Sequence, residues 1–390
     1  VSKIEAVFVL KTVERCNINC TYCYFFNKND QSYKEHPPLM SEGTLFQVAD
    51  FILNGCKKFE IKNLVVCFHG GEPLMQKKDQ FEKFCLYIVD NLVPGLKVSF
   101  ILQTNGLLIN DEWLNLLQKF NVNISISLDG PKLINDKYRI DHAGRGTFNR
   151  VRRKIDFLRE HEFYKLKGFS ILSVISEFFE ANEIYNFFFN ELCLNNVDFL
   201  IPDNTHDEKS NFSENQLGNF LSELFMLWIN DRPQKISIRY FNGILNRFLG
   251  KPYYTYGHGS TKELECLPLV TISSDGSLSP SDEFRSTSMD FMNTNMNCSS
   301  SELDELLKHD NFEKIDKSLN TLPKDCASCL WKNICQGGGL VNRYSAAREF
   351  DNPSVFCNDL KIFYRTVSIE LIKRRMSIDH MIENLNKEAA

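Results

Sequence analysis

The chain has 390 residues, 43% of them hydrophobic, which allows one large domain and a smaller one with substantial cores. A net charge of -5 gives no electrostatic reason to expect nucleic acid or an anionic membrane as partner, and no apolar stretch is long enough to span a bilayer. No signal peptide is read, because the apolar run over 7–10 is followed at once by Lys11, Glu14 and Arg15; a cytoplasmic protein is expected, and its 13 cysteines, odd in number and unevenly placed, then point to metal binding or catalysis rather than disulfides.

From residue 5 to about 200, short β-branched or aromatic runs alternate with longer amphipathic ones, the pattern of repeated β-α units and a parallel sheet. Strands are predicted near 6–12, 63–68, 97–103, 122–128, 168–174 and 196–201, with helices over 41–56 (Ser41 as N-cap), 79–92, 111–120, 147–160 and 177–192. Six strands fit a partial, TIM-like (β/α)6 barrel, an α/β fold whose ligands collect at the carboxyl ends of the strands. Cys56, Cys67, Cys85 and Cys193 lie among apolar residues and read as small core residues.

After the first strand comes Cys16-Asn17-Ile18-Asn19-Cys20-Thr21-Tyr22-Cys23. Three thiolates at these spacings can bind three corners of a [4Fe-4S] cube and leave the fourth iron without a protein ligand. The alternative is a zinc loop with Cys67 or His69 as fourth ligand. The second strand ends in His69-Gly70-Gly71-Glu72-Pro73, where glycines permit close backbone approach, and the third in Gln103-Thr104-Asn105-Gly106. The fourth ends in Ser127-Leu128-Asp129-Gly130-Pro131, whose hydroxyl and carboxylate, two residues apart, would project to one side and suit a ribose, or form a strand-end turn. Lys137-Tyr138-Arg139 and Gly144 to Phe148 follow; Arg139 could pair with a carboxylate, or be a surface arginine.

The triplet followed by Gly-Gly-Glu-Pro resembles the signature of the radical S-adenosylmethionine (radical SAM) superfamily. The resemblance implies that SAM occupies the open iron and is cleaved by one electron to a hydrogen-abstracting 5'-deoxyadenosyl radical. It also implies that Gly70, Gly71 and Glu72 hold the SAM amino group, that Ser127 and Asp129 contact the sugar, that Arg139 meets the carboxylate and that Tyr22 is among the cofactor-binding positions.

Residues 202–215 read as a loop closing the barrel, two helical segments follow near 214–230 and 239–249, and Tyr253, Tyr254 and Tyr256 form a loop or a substrate wall. Cys326, Cys329, Cys335 and Cys357 supply four thiolates, enough to complete a [4Fe-4S] cube with no open iron, or to bind zinc. The arrangement resembles the SPASM extension of radical SAM enzymes, from which it departs at Ser281 and Gly339, where cysteines belong. The departures imply that the first of two auxiliary clusters is absent, unless Cys266 and Cys298 rescue it, and that one auxiliary cluster remains. Asp282 matches a general base of anaerobic sulfatase-maturing relatives, or is half of a solvated Asp282-Glu283 pair. The expected domains are a barrel over 1–205, a helical bridge over 206–260, a small cysteine-rich SPASM-type domain over 261–375 and a C-terminal helical tail over 376–390.

The segments 336–345 and 351–357 resemble SPASM maturases of ribosomally made peptides, including those that join an aromatic ring carbon to a side-chain Cβ in a cyclophane. That chemistry is the expectation, with thioether formation, formylglycine formation or epimerisation as rivals and a zinc-stapled binding protein as the non-enzyme alternative. The partners implied are a precursor peptide and an electron donor such as flavodoxin or ferredoxin. Because the triplet starts at residue 16, leader recognition is expected on the barrel surface, on the 202–260 bridge or on a separate leader-binding protein.

Overall fold

The first strand, β1 (Glu5–Val13), is buried from Ala6 to Val13. Such continuous burial is the mark of a parallel strand covered on both faces. It pairs in parallel with β2 (Asn63–Gly70), which pairs with β3 (Lys97–Thr104), which pairs with β4 (Asn123–Ser127). The structure, a computed structural model, describes residues 5–28, 30–231, 236–251 and 266–386; the three tyrosines of the 253–256 segment lie outside them.

Two further strands, β5 (Ser170–Val174) and β6 (Val197–Leu200), complete the six of the predicted alternation. Helices fall between them as expected. Ser41 caps the helix Glu42–Lys58 by accepting from Thr44 N at 3.0 Å, a contact worth about 1 kcal/mol. On β2, Phe68 packs among Phe81, Phe84 and Phe100 with ring centroids 4.6, 5.8 and 6.1 Å away, which fixes the helix Lys78–Asp90 against the sheet. The predicted 177–192 helix is instead a short helix, Ala181–Tyr185, running into a π-helical stretch, Asn186–Glu191. Cys56 and Cys85 are core residues as expected, but Cys193 is exposed, turned out by a left-handed backbone (φ 46°) just past the π-helical stretch.

The chain forms two compact units that cut across the domain boundaries read from sequence. The first comprises Val1–Leu128, Asn135–Ile171 and Glu265–Asp316, and the second Asp129–Ile134, Leu172–Leu264 and Lys317–Ala390. The sequence reading grouped 261–375 together; instead β7 (Val270–Ile272) pairs in parallel with β1, placing Phe8 opposite Val270 and Leu10 opposite Ile272, and β8 (Leu278–Ser279) turns back antiparallel on β7. The strand order in the first unit is thus β4-β3-β2-β1-β7-β8.

In the second unit the helix Gln216–Asn230 buries Phe220, Leu224, Phe225 and Trp228. Phe225 meets Phe241 of the helix Arg239–Phe248 at 5.5 Å and Phe363 of the helix Cys357–Lys373 at 5.9 Å. A last helix, Ile378–Asn386, ends the described chain. No helix among the described residues is long and apolar enough to cross a membrane.

Candidate active site

Cys16, Cys20 and Cys23 sit between β1 and the short helix Tyr24–Asn27, in the first unit. Backbone bonds shape it from both sides: Cys23 N donates to Cys20 O at 3.1 Å, Asn19 N to Ile140 O at 2.8 Å and Thr21 N to Tyr138 O at 3.0 Å. Asn27 Nδ2 donates to Cys20 O at 2.7 Å, and Asn105 Nδ2 to Asn17 Oδ1 at 2.7 Å. The thiols are close enough to act on each other. Burial first, and then the neighbouring Glu72, Cys20 and Cys23, push the Cys16 thiol up to about 12. A group of thiols that resists ionising together is one that a cationic iron centre would neutralise.

Gly70 and Gly71 make a close approach, but to protein. A Cβ on Gly70, at φ 127°, would lie 2.4 Å from Val13 O, and one on Gly71 2.0 Å from Arg15 O. The turn is thereby laid on the strand that delivers Cys16, with Gly71 N bonded to Val13 O at 2.8 Å and Glu72 N to Arg15 O at 2.9 Å. Glu72 is fully buried and accepts from Leu74 N (3.0 Å), Thr104 Oγ1 (2.6 Å) and Asn105 N (2.9 Å). It has no cationic partner among the described residues, and burial outweighs those hydrogen bonds, raising its carboxyl to about 7. An ammonium group is what such a carboxylate lacks.

Arg139 is no surface residue. It is 8% exposed, with its guanidinium 5.5 Å from the centre of the Tyr22 ring and Nη1 4.0 Å from Cys20 Sγ. Ser127 closes β4 and accepts from Gln103 Nε2 at 2.8 Å. Asp129 lies beyond the end of the strand, so the two-residue alternation does not extend to it; in the second unit its carboxylate accepts from Val174 N at 3.1 Å.

Asp282 is not half of a solvated pair. It opens the 3-10 turn Asp282–Ser286, where its carboxylate forms an ion pair with the fully buried Lys11 of β1 and accepts from Tyr24 Oη at 2.5 Å. Both contacts fall on Oδ2. The Asp282 side chain keeps 14% of its surface exposed. Burial alone would raise its pKa; Lys11, His69 and Tyr24 outweigh it and hold the carboxyl well below the usual range. His69, weighed above as a zinc ligand, has Nδ1 3.0 Å from Lys11 Nζ, and burial followed by the lysine charge lowers it to about 4, so it is neutral. The same turn is clamped by Arg285, buried against Asp30 and stacked 4.5 Å from the Phe25 ring centre. Lys11, Tyr24 and His69 were not singled out for this site, although a lysine inside a fully buried strand demands a partner and was the available signal.

Comparison with known proteins agrees with this geometry. Residues 10–185 match the profile of the radical SAM superfamily. The chain is 29% identical over 382 residues to a cysteine-type anaerobic sulfatase-maturating enzyme of Clostridium novyi (strain NT), covering 93% of this chain and 95% of that one. A native anSMEcpe structure with bound AdoMet superposes with a TM-score of 0.81 at 26% identity, covering 95% of this chain and 99% of that one. Residues 10–185 thus carry a radical SAM domain. A serine-type anaerobic sulfatase-maturating enzyme of Bacteroides thetaiotaomicron (strain ATCC 29148 / DSM 2079 / JCM 5827 / CCUG 10774 / NCTC 10582 / VPI-5482 / E50) is 26% identical over 258 residues, 60% of each chain. The structure of anSMEcpe with AdoMet and the Cp18Cys peptide matches with a TM-score of 0.79 at 25% identity, over 95% of this chain and 98% of that one.

A radical SAM protein carries a [4Fe-4S] cluster and SAM, and the first unit fits both: three thiols on one loop, an unneutralised buried carboxylate at Glu72 and a buried guanidinium at Arg139. The second unit of this radical SAM chain brings Cys326, Cys329, Cys335 and Cys357 to the wall of one narrow cavity, with Trp331, Pro353 and Tyr364. Among the described residues no three His, Cys, Asp or Glu side chains converge to hold a single metal ion; a cube takes one thiolate per iron. Gly339, where the resemblance calls for a further cysteine, is buried and has an ordinary backbone (φ -59°, ψ 137°), so its conformation does not itself call for glycine. Cys266 and Cys298 are both buried in the first unit.

Proposed function

We propose that this radical SAM enzyme is a maturase that oxidises a side-chain Cβ in a peptide or protein substrate, with formylglycine, made from cysteine or serine, as the product. Support comes from the match along almost the whole chain to a cysteine-type sulfatase-maturating enzyme. The observation that carries the reading is Asp282, a carboxylate anchored through one oxygen by Lys11 and Tyr24 in the unit that holds the cysteine triplet. When bound, the cluster and SAM supply the hydrogen-abstracting radical.

The chain's own residues do the rest. Glu72 and Arg139 offer opposite charges for the two ends of an amino acid, and Ser127 a hydroxyl for a sugar. Asp282 Oδ1, the oxygen not used by Lys11 and Tyr24, takes the proton that the oxidised Cβ group must release. In balance, a serine side chain loses two hydrogens to become the aldehyde; a cysteine loses two to become a thioaldehyde, which water converts to the aldehyde with release of hydrogen sulfide. The electron leaves to an acceptor for which the second cysteine group is the candidate, and a flavodoxin- or ferredoxin-type donor supplies the priming electron.

These relatives favour the aldehyde over the ring-to-Cβ cross-link expected from sequence. The test is anaerobic turnover with cysteine- and serine-containing peptides. A product that reacts with a hydrazide is expected, and Asp282→Asn is expected to slow it by about 10²–10⁴-fold while 5'-deoxyadenosine still forms. Loss of two hydrogens without hydrazide reactivity would replace the aldehyde by a cross-link, and an unchanged mass would mean epimerisation.

A further inference from the structure

Cys357, Leu360, Lys361 and Tyr364 stand at i, i+3, i+4 and i+7 on the helix Cys357–Lys373, so a single face of that helix lines the four-cysteine cavity. Tyr364 is 3% exposed, its ring 6.0 Å from that of Trp331 and 5.7 Å from that of Phe363. Tyr364 shares that cavity wall with Cys335, and its hydroxyl favours the Cys335 thiolate. Two guanidiniums belong to the same surroundings. Arg247 donates to Ile334 O at 2.7 Å and to Gln336 Oε1 at 3.0 Å, the residues on either side of Cys335. Arg343, 3% exposed, donates to the carbonyls of Phe350 (3.0 Å), Ser318 (2.9 Å) and Thr321 (3.2 Å), and forms no salt bridge among the described residues. Its charge acts on Cys326 and Cys335.

A cube on four thiolates is anionic and becomes more so on gaining an electron. A hydrogen bond to a ligating sulfur and nearby fixed positive charge therefore stabilise the reduced form more than the oxidised one. We propose that Tyr364, backed by Arg247 and Arg343, poises the four-cysteine site to accept an electron, so that the site serves as an electron sink and Tyr364 is the residue that tunes it. The proposal rests on the reading of these cysteines as cluster ligands.

The experiment uses the full chain with Cys16, Cys20 and Cys23 all replaced by alanine, reconstituted anaerobically so that only the second site can hold iron. Its midpoint potential is measured by EPR-monitored titration with and without Tyr364→Phe, and exchangeable protons near the reduced cluster are counted by ENDOR in H2O and D2O. The expected result is a midpoint shifted to more negative potential in the variant, with iron and sulfide per chain unchanged and one exchangeable coupling lost. The wild-type tyrosine is tested independently by that coupling, should the variant fail to fold. An intact cluster with the same midpoint, or with no exchangeable coupling in the tyrosine-containing protein, would overturn the role of Tyr364 and leave the ligand reading standing. A parent protein that assembles no cluster would overturn the ligand reading and the proposal with it.

Discussion

The two cysteine groups of this chain use the same ligand atom in opposite surroundings. Around the triplet the nearby charges are incomplete: Glu72 is buried without a cation, and Asp282 is tethered by one oxygen only. Around the four cysteines of the second unit, the guanidiniums of Arg247 and Arg343 act on the sulfurs from bonds to neighbouring carbonyls and to Gln336, with Tyr364 on the same cavity wall and Asp325 as a nearby carboxylate. A buried carboxylate without its own cation is one that admits a cationic ligand, and thiols beside buried guanidiniums are ones that hold added negative charge. The neighbours, more than the cysteines, decide which role each group takes.

That contrast is broken most directly by deleting one group at a time. Cysteine-to-alanine replacement at Cys16, Cys20 and Cys23 is expected to abolish reductive SAM cleavage and leave about four irons of about eight, whereas Cys335→Ala should keep 5'-deoxyadenosine formation and lose the peptide product; chromatography of both products with iron analysis reads it. Lys11→Met would leave the Asp282 carboxylate buried without its cation, and thermal or denaturant melting should show a loss of about 3–5 kcal/mol. A smaller loss, about 1–3 kcal/mol, is expected for Gly71→Ala, since the added methyl falls on Arg15 O and must displace the backbone leading to Cys16.

The smallest effect concerns pH. His36 is raised above its ordinary value by its hydrogen bond to the buried Glu14, at 2.9 Å, so the folded state holds its proton more tightly than the unfolded chain does. The stabilisation is complete below the ordinary histidine pKa and is lost as pH rises through the folded value. Melting curves across neutral pH should therefore fall more steeply for the wild type than for His36→Asn.

The sequence made the barrel legible because its strands are long enough to show β-branched runs and its helices long enough to show a 3.6-residue period. The pair β7 and β8 was invisible for the converse reason: three and two residues carry no period, and the pairing of Val270 with Phe8 joins distant parts of the chain. The cysteines, Glu72 and Arg139 were readable as residue types at spacings. Lys11 was readable only as a charge in an apolar run, and its meaning needed Asp282 to be brought to it from the other side of the sequence. Likewise Gly70 and Gly71 were seen as a turn able to approach a ligand, whereas the contact that requires them is with the backbone at 13–15.

The ladder between β1 and β7 ends with Leu10 opposite Ile272, one step before Lys11. The turn that starts at Asp282 is therefore suspended from a rail that also fixes its anchor, and the buried side chains of Phe284 and Arg285 lock it in place. On the proposed reading, one strand then carries both the lead into the cysteine triplet and the lysine that seats the carboxylate, so the two are held in a single register.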